Sequence, residues 1–283
     1  MGMKARANVA TFFKYFVLIL MGFIMVYPLL WMVGSTFKTN AEIFTSLSPF
    51  TAHPTLDGYY NAVTKTYGGD ITIWRAFLNT YSYVIPKVVF TVISSVIAAY
   101  GFSRFKFKGR DFLFGVMIMT LFLPQVVLNV PQYMMYNKFD WINNPLYPAL
   151  WVPSLFATET YFVYQLVQFM RSIPHDLDEA AAIDGIKNRW QELWYVTLPA
   201  MKPQLMFGAV MQITQSFAVA DISINLAGNP SVNYAGATIV THLLDYGSTR
   251  MEMGYACAIA TILFLLMVGT NKLVQRVLRR VGE

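Results

Sequence analysis

Six apolar stretches, each long enough to cross a bilayer, constrain this chain more than any other feature. A helix needs about 20 apolar residues to cover the hydrocarbon core, and only helices or closed barrels satisfy every backbone N–H and C=O there. The stretches run from about Tyr15 to Gly34, Phe77 to Ser103, Phe112 to Val130, Leu146 to Met170, Pro203 to Leu226 and Met253 to Thr270. Pro124 predicts a kink in the third, and Pro148, Pro153 and Glu159 interrupt the fourth. Charged residues make up only 13% of the 283 positions, too few to coat a soluble globule. The expected fold is therefore all-α, a polytopic membrane protein with six transmembrane helices in a single domain, residues 1–283. The first stretch is read as a span, because it is long and lacks the small-residue cleavage site of a signal peptide.

A net charge of +6 could point to nucleic acid, but the basic residues flank the apolar stretches instead of forming one patch. They act as orientation signals. One side carries fifteen of them: Lys4, Arg6 and Lys14, the cluster at 104–110, four within 171–202, and four after Thr270. The other side carries five, Lys38, Lys65, Arg75, Lys138 and Arg250. The basic side faces the cytoplasm, so both termini are expected there, with outer segments near 35–76, 131–145 and 227–252. The single Cys257 excludes an internal disulfide and any cysteine cage for a metal.

The inner segment 171–203 is too polar to span and too rich in helix formers to be slack. Pro174 keeps Ile173 out of a helix, and Asp176 with Glu179 forms a capping-box pattern that starts one. Ala180, Ala181 and Ala182 extend it, and Gly185 suits a left-handed stop. A second helix is expected near Lys187, with Trp190, Leu193, Trp194 and Thr197 as one apolar stripe beside charged Arg189 and Glu192. Leu198, Pro199 and Pro203 then lead into the fifth span. The result is a helix-turn-helix knob on the cytoplasmic face.

Glu179, Ala180, Ala181, Asp184, Gly185, Leu198 and Pro199, placed between spans four and five, resemble the cytoplasmic loop of permeases of bacterial ABC importers. The segments at 35–44 and 99–110, together with Asn79, are similar to the carbohydrate-uptake group of the maltose-transporter type, and to its second permease in particular. One departure stands in span five, where Ser216 to Asp221 reads SFAVAD in place of that group's Trp-Asn motif. The resemblance implies a type I ABC importer permease fold in the bacterial cytoplasmic membrane. It implies as partners a second, different permease subunit, a separate ATP-binding cassette ATPase dimer and an extracytoplasmic sugar-binding protein, with membrane lipid around them. In such importers the loop is a coupling helix held by the ATPase, which makes Glu179, Ala180, Ala181, Asp184 and Gly185 the candidate docking residues. Capping of the local helix is a second role for Glu179 and Gly185, and the two are compatible.

Polar groups inside a span are costly and face protein or water. Lys87, Glu159 and Asp221 are such groups. Gln212, Gln215 and Asp221 give span five a polar side that could line a translocation path, or could join neighbouring helices. Ser94, Ser95, Ala98 and Ala99, and Gly254 with Ala258, are small enough for close helix packing. The turn-rich segment 227–234 could enter the mouth of a binding protein or be an ordinary loop. No phosphate-binding loop, zinc motif or nucleophile elbow is present, and His242 and Asp245 lack metal-ligand spacing, so neither enzyme activity nor a cofactor is expected. The rival class is an ion-coupled secondary transporter using Lys87 and Asp221 as an intramembrane pair.

Overall fold

A computed structural model describes residues 3–65, 72–142, 144, 146–174, 176–177, 183, 185–219, 223–225 and 236–279. Among them every regular element is helical: α1 (Met3–Ser35), α2 (Asn40–Thr45), α3 (Asp57–Thr64), α4 (Ile73–Arg104), α5 (Arg110–Thr120), α6 (Gln125–Lys138) and α7 (Thr160–Ser172) lead to the knob. There α8 (Arg189–Glu192) runs through a π-helical turn, Leu193–Thr197, into α9 (Leu198–Ala200), followed by α10 (Lys202–Phe217), α11 (Ile239–Leu244) and α12 (Met253–Arg279). Three helices are long and apolar enough to span, within Thr11–Ser35, Ile73–Arg104 and Met253–Arg279. They match the first, second and sixth stretches.

The third and fourth stretches are not single helices. Pro124 disfavours helix at Leu123 and the chain turns at 121–123, so α5 and α6 replace one kinked span over Phe112 to Val130. Pro148 and Pro153 each open a short 3₁₀ turn, Pro148–Leu150 and Val152–Phe156, and Ala157 takes a left-handed φ of 52° before α7 begins. The fourth stretch is thus half irregular, which a membrane tolerates where protein or water covers the backbone.

Contacts divide the chain into two units, Met1–Tyr67 with Leu243–Phe264, and Gly68–His242 with Leu265–Glu283. In the first, polar residues fix the turn after α1. Ser35, Thr36 and Lys38 are buried, and the Lys38 ammonium donates to the Ser48 carbonyl. Asn40 Oδ1 accepts the Gly254 N–H at 3.0 Å, and Gly58 must lack a side chain because a Cβ there would lie 2.8 Å from the Gly254 carbonyl oxygen. A Cβ on Gly254 would itself lie 3.2 Å from the Lys38 carbonyl oxygen, so its small size serves close packing, as expected.

The second unit is built on α4 and α7. Ala99 and Tyr100 pack against Leu166, Val167 and Met170, and Leu193, Leu198 and Leu205 complete this core. Small residues bring the helices together: the Ser94 hydroxyl donates to the Ser154 carbonyl at 2.7 Å, and Ser95 and Ala99 are fully buried. Gly208 lies so close to the Phe162 ring that any Cβ would overlap it. Lipid is as apolar as Leu, so hydrophobic transfer contributes little inside a bilayer and van der Waals contact with hydrogen bonds dominates. That is why glycine, alanine and serine mark these seams.

Candidate functional site

The knob is held to the transmembrane part by a buried polar lock. Asn188 caps α8 by accepting the Gln191 N–H at 2.9 Å, while the Gln191 side-chain oxygen accepts the Lys187 N–H at 2.9 Å. This reciprocal cap is legible as Asn188 followed three residues later by Gln191. Glu192, set beside the apolar stripe by its spacing, is buried, 6% exposed. Its carboxylate accepts the Tyr100 hydroxyl at 2.9 Å and pairs with the Arg189 guanidinium. Tyr100 comes from α4, so the lock joins span two to the knob. Ile173 is tied in as well, its carbonyl accepting from the Arg104 guanidinium at 3.4 Å.

The expected apolar stripe divides into two rows. Leu193 and Thr197 are buried at 5% and 0%, whereas Trp190 and Trp194 are 68% and 55% exposed. Residues four apart share a row, and the wide π turn separates the two rows. One row seats the knob on its own chain, and the other leaves two indoles outward.

Glu179, Ala180, Ala181 and Asp184 lie outside the described residues. Gly185 is described, with φ of 96° and open space around the position its Cβ would take. The glycine is thus favoured by its left-handed backbone conformation and, among the described residues, not by crowding. On the fifth stretch, Gln212 is buried at 4% with its side-chain oxygen unbonded among the described residues, while Gln215 is exposed. The two sit one turn apart on α10 and differ in burial, and Asp221 lies outside the described residues, as does the segment 227–234.

Lys87 and Glu159 are brought together, which sequence separation concealed. Lys87 Nζ stands 4.0 Å from Glu159 Oε1, with the side chains 17% and 32% exposed. Both line a cavity of about 910 Å³ inside the second unit, with Tyr83, Tyr136, Trp141 and Ser154 among its walls. His242 is buried, and Asp245 pairs with Arg250 at 2.7 Å. No group of three or more His, Cys, Asp or Glu side chains that could hold a metal occurs among the described residues.

With this geometry in view, the comparisons are specific. Residues 91–282 match the family described as binding-protein-dependent transport system inner membrane component. The chain belongs to that family. This inner membrane component is 28% identical to the diacetylchitobiose uptake system permease protein of Streptomyces coelicolor, over 89% of this chain and 81% of that one. It is 31% identical to the galactooligosaccharides transport system permease protein of Bacillus subtilis, over 71% and 69% of the two chains. A crystal structure of a bacterial ABC transporter involved in import of the acidic polysaccharide alginate contains a chain with a TM-score of 0.76 to this one. That chain is 16% identical, with 98% of each covered, and it establishes a shared fold. The inner membrane component thus has the fold of an ABC importer chain and apolar helices suited to the membrane it is assigned to.

Proposed function

We propose that the chain is the permease subunit of an ATP-driven, binding-protein-dependent importer of sugars or oligosaccharides. The family match over residues 91–282 carries this reading, and relatives named for diacetylchitobiose and galactooligosaccharides support the substrate class. Residues 1–283 form one transmembrane domain of six crossings with both termini in the cytoplasm, and 171–203 is its coupling loop. A second, related permease, an ATPase dimer and an extracytoplasmic sugar-binding protein complete the assembly. A crystal structure of the alginate transporter with a pentasaccharide-bound periplasmic protein supports the last of these. ATP hydrolysis belongs to the separate ATPase subunit.

Coupling needs a stiff element that has two positions and is joined to the spans. The knob has that stiffness, through Tyr100, Glu192 and Arg189 on one side and Leu193 and Thr197 on the other. Glu179, Ala180, Ala181, Asp184 and Gly185 dock in the ATPase cleft, with the alanines permitting close approach. Gln212, Gln215 and Asp221 contribute to the translocation path. In proteoliposomes holding the whole complex, sugar uptake should require ATP, the binding protein and the ATPase together. Uptake driven by an ion gradient without ATP would overturn the proposal and favour the secondary transporter, a class for which the family match gives no support.

A further inference from the structure

The cavity beside Lys87 is built for more than an ion pair. Charge-assisted N–H···O contacts settle at about 2.7–2.9 Å, but Lys87 and Glu159 stand 4.0 Å apart. Among the described residues neither has a nearer charged partner, so the ammonium keeps donors and the carboxylate keeps lone pairs directed at the space between helices. Holding two charges in a membrane segment without a tight bond is costly, and such groups commonly mark a pathway.

The walls point to the chemistry of the occupant. About 910 Å³ lies in the upper part of the range of small-molecule sites, roughly 300–1,000 Å³. Tyr136 and Trp141 stack with centroids 5.6 Å apart and both line the cavity, giving it an aromatic side against which the C–H face of a pyranose ring can pack. Thr120, Thr158, Thr160 and Gln132 add hydroxyl and amide groups around the charged pair. A donor-rich ammonium beside an acceptor-rich carboxylate matches hydroxyl groups, each of which donates and accepts. The pair is formally neutral, so an uronate carboxylate would meet Glu159 with no uncompensated positive charge to offset it.

We infer that this cavity is a saccharide site within this one subunit, taking a neutral mono- or disaccharide unit with Lys87 and Glu159 as its hydrogen-bonding pair and Tyr136 and Trp141 as its stacking wall. The inference rests on the importer reading above and adds residues to it, since Gln212 and Gln215 are not among the walls of this cavity.

The test uses the complete transporter with its ATPase and binding protein in proteoliposomes, and diacetylchitobiose, galactobiose and a diuronate as probes. Wild-type complex should take up a neutral probe under ATP and not the diuronate. Failure with both neutral probes overturns the importer reading, whereas diuronate uptake at the same rate overturns only the neutral class of the site. Lys87→Met and Glu159→Gln should each lower neutral uptake by about tenfold or more, with ATP hydrolysis kept within about twofold. The swapped variant with Lys87→Glu and Glu159→Lys should stay low, since a substrate reads positions and a structural pair reads only opposite charge. Recovery in the swap, or unchanged uptake in both single variants, overturns the site. An independent measurement leaves the pair intact: Thr158→Cys, in a chain whose only native thiol is buried, should react several-fold more slowly with a hydrophilic thiol reagent when the transported probe is present. Equal rates with and without the probe overturn the site even if the other variants fail to assemble.

Discussion

Gly185 separates two effects that a single substitution usually mixes. Its φ of 96° costs an L residue about 1–2 kcal/mol, yet among the described residues nothing lies near the missing Cβ. Gly185→Ala and Gly185→Trp should therefore lower stability by similar amounts, seen as equal shifts in thermal denaturation of the purified subunit complex. Only Gly185→Trp should uncouple ATP hydrolysis from uptake, because the bulk has to meet another molecule. Equal transport by the two variants would count against docking. Gly208 is the opposite case, where bulk meets the Phe162 ring inside the chain. Gly208→Val should destabilise by about 1–3 kcal/mol through overpacking, checked by the melting temperature. Both glycines are visible in the sequence, but which has a conformational reason and which a steric one is set by neighbours far along the chain.

At the scale of elements, α8 and its π turn owe their position to Tyr100 and Glu192. Glu192→Ala removes the 2.9 Å acceptor of the Tyr100 hydroxyl, leaving the Arg189 carbonyl at 3.2 Å, and should cost about 1–3 kcal/mol. The measurable result is faster hydrogen exchange across 186–200 with α4 unchanged at its centre, and Glu192→Gln should recover most of the protection. The sequence placed a helix start near Lys187, where α8 begins at Arg189, and set Glu192 beside the apolar stripe without deciding that it turns inward, since helical spacing gives relative angles and not which side meets protein. α1 was read more fully. Its apolar window is wholly unburied within the chain, so lipid or a partner covers it. Ile24→Arg at its exposed centre should oppose insertion by about 2.5–3.5 kcal/mol, checked by the fraction of chain reaching the membrane.

For the whole molecule, the basic bias predicts topology, and thiol labelling of intact cells tests it. Phe50→Cys, 81% exposed in an outer segment, should react with an impermeant reagent from outside. Lys108→Cys should react only after permeabilisation, and the buried Cys257 should stay silent. Reaction of Lys108→Cys from outside would reverse the orientation.

What the amino-acid order determined by itself was membrane residence, the long helices α1, α4 and α12, the helix that starts near Lys187, and the small residues at helix seams. Each follows from desolvating a contiguous backbone or from steric size, both readable over a few turns. Only the tertiary structure decided that the third and fourth stretches break, that Lys87 meets Glu159 across a cavity, and that Glu192 turns inward to Tyr100. Those outcomes depend on which distant groups can lie close enough to satisfy a buried charge or a broken backbone turn, and packing alone chooses among such partners.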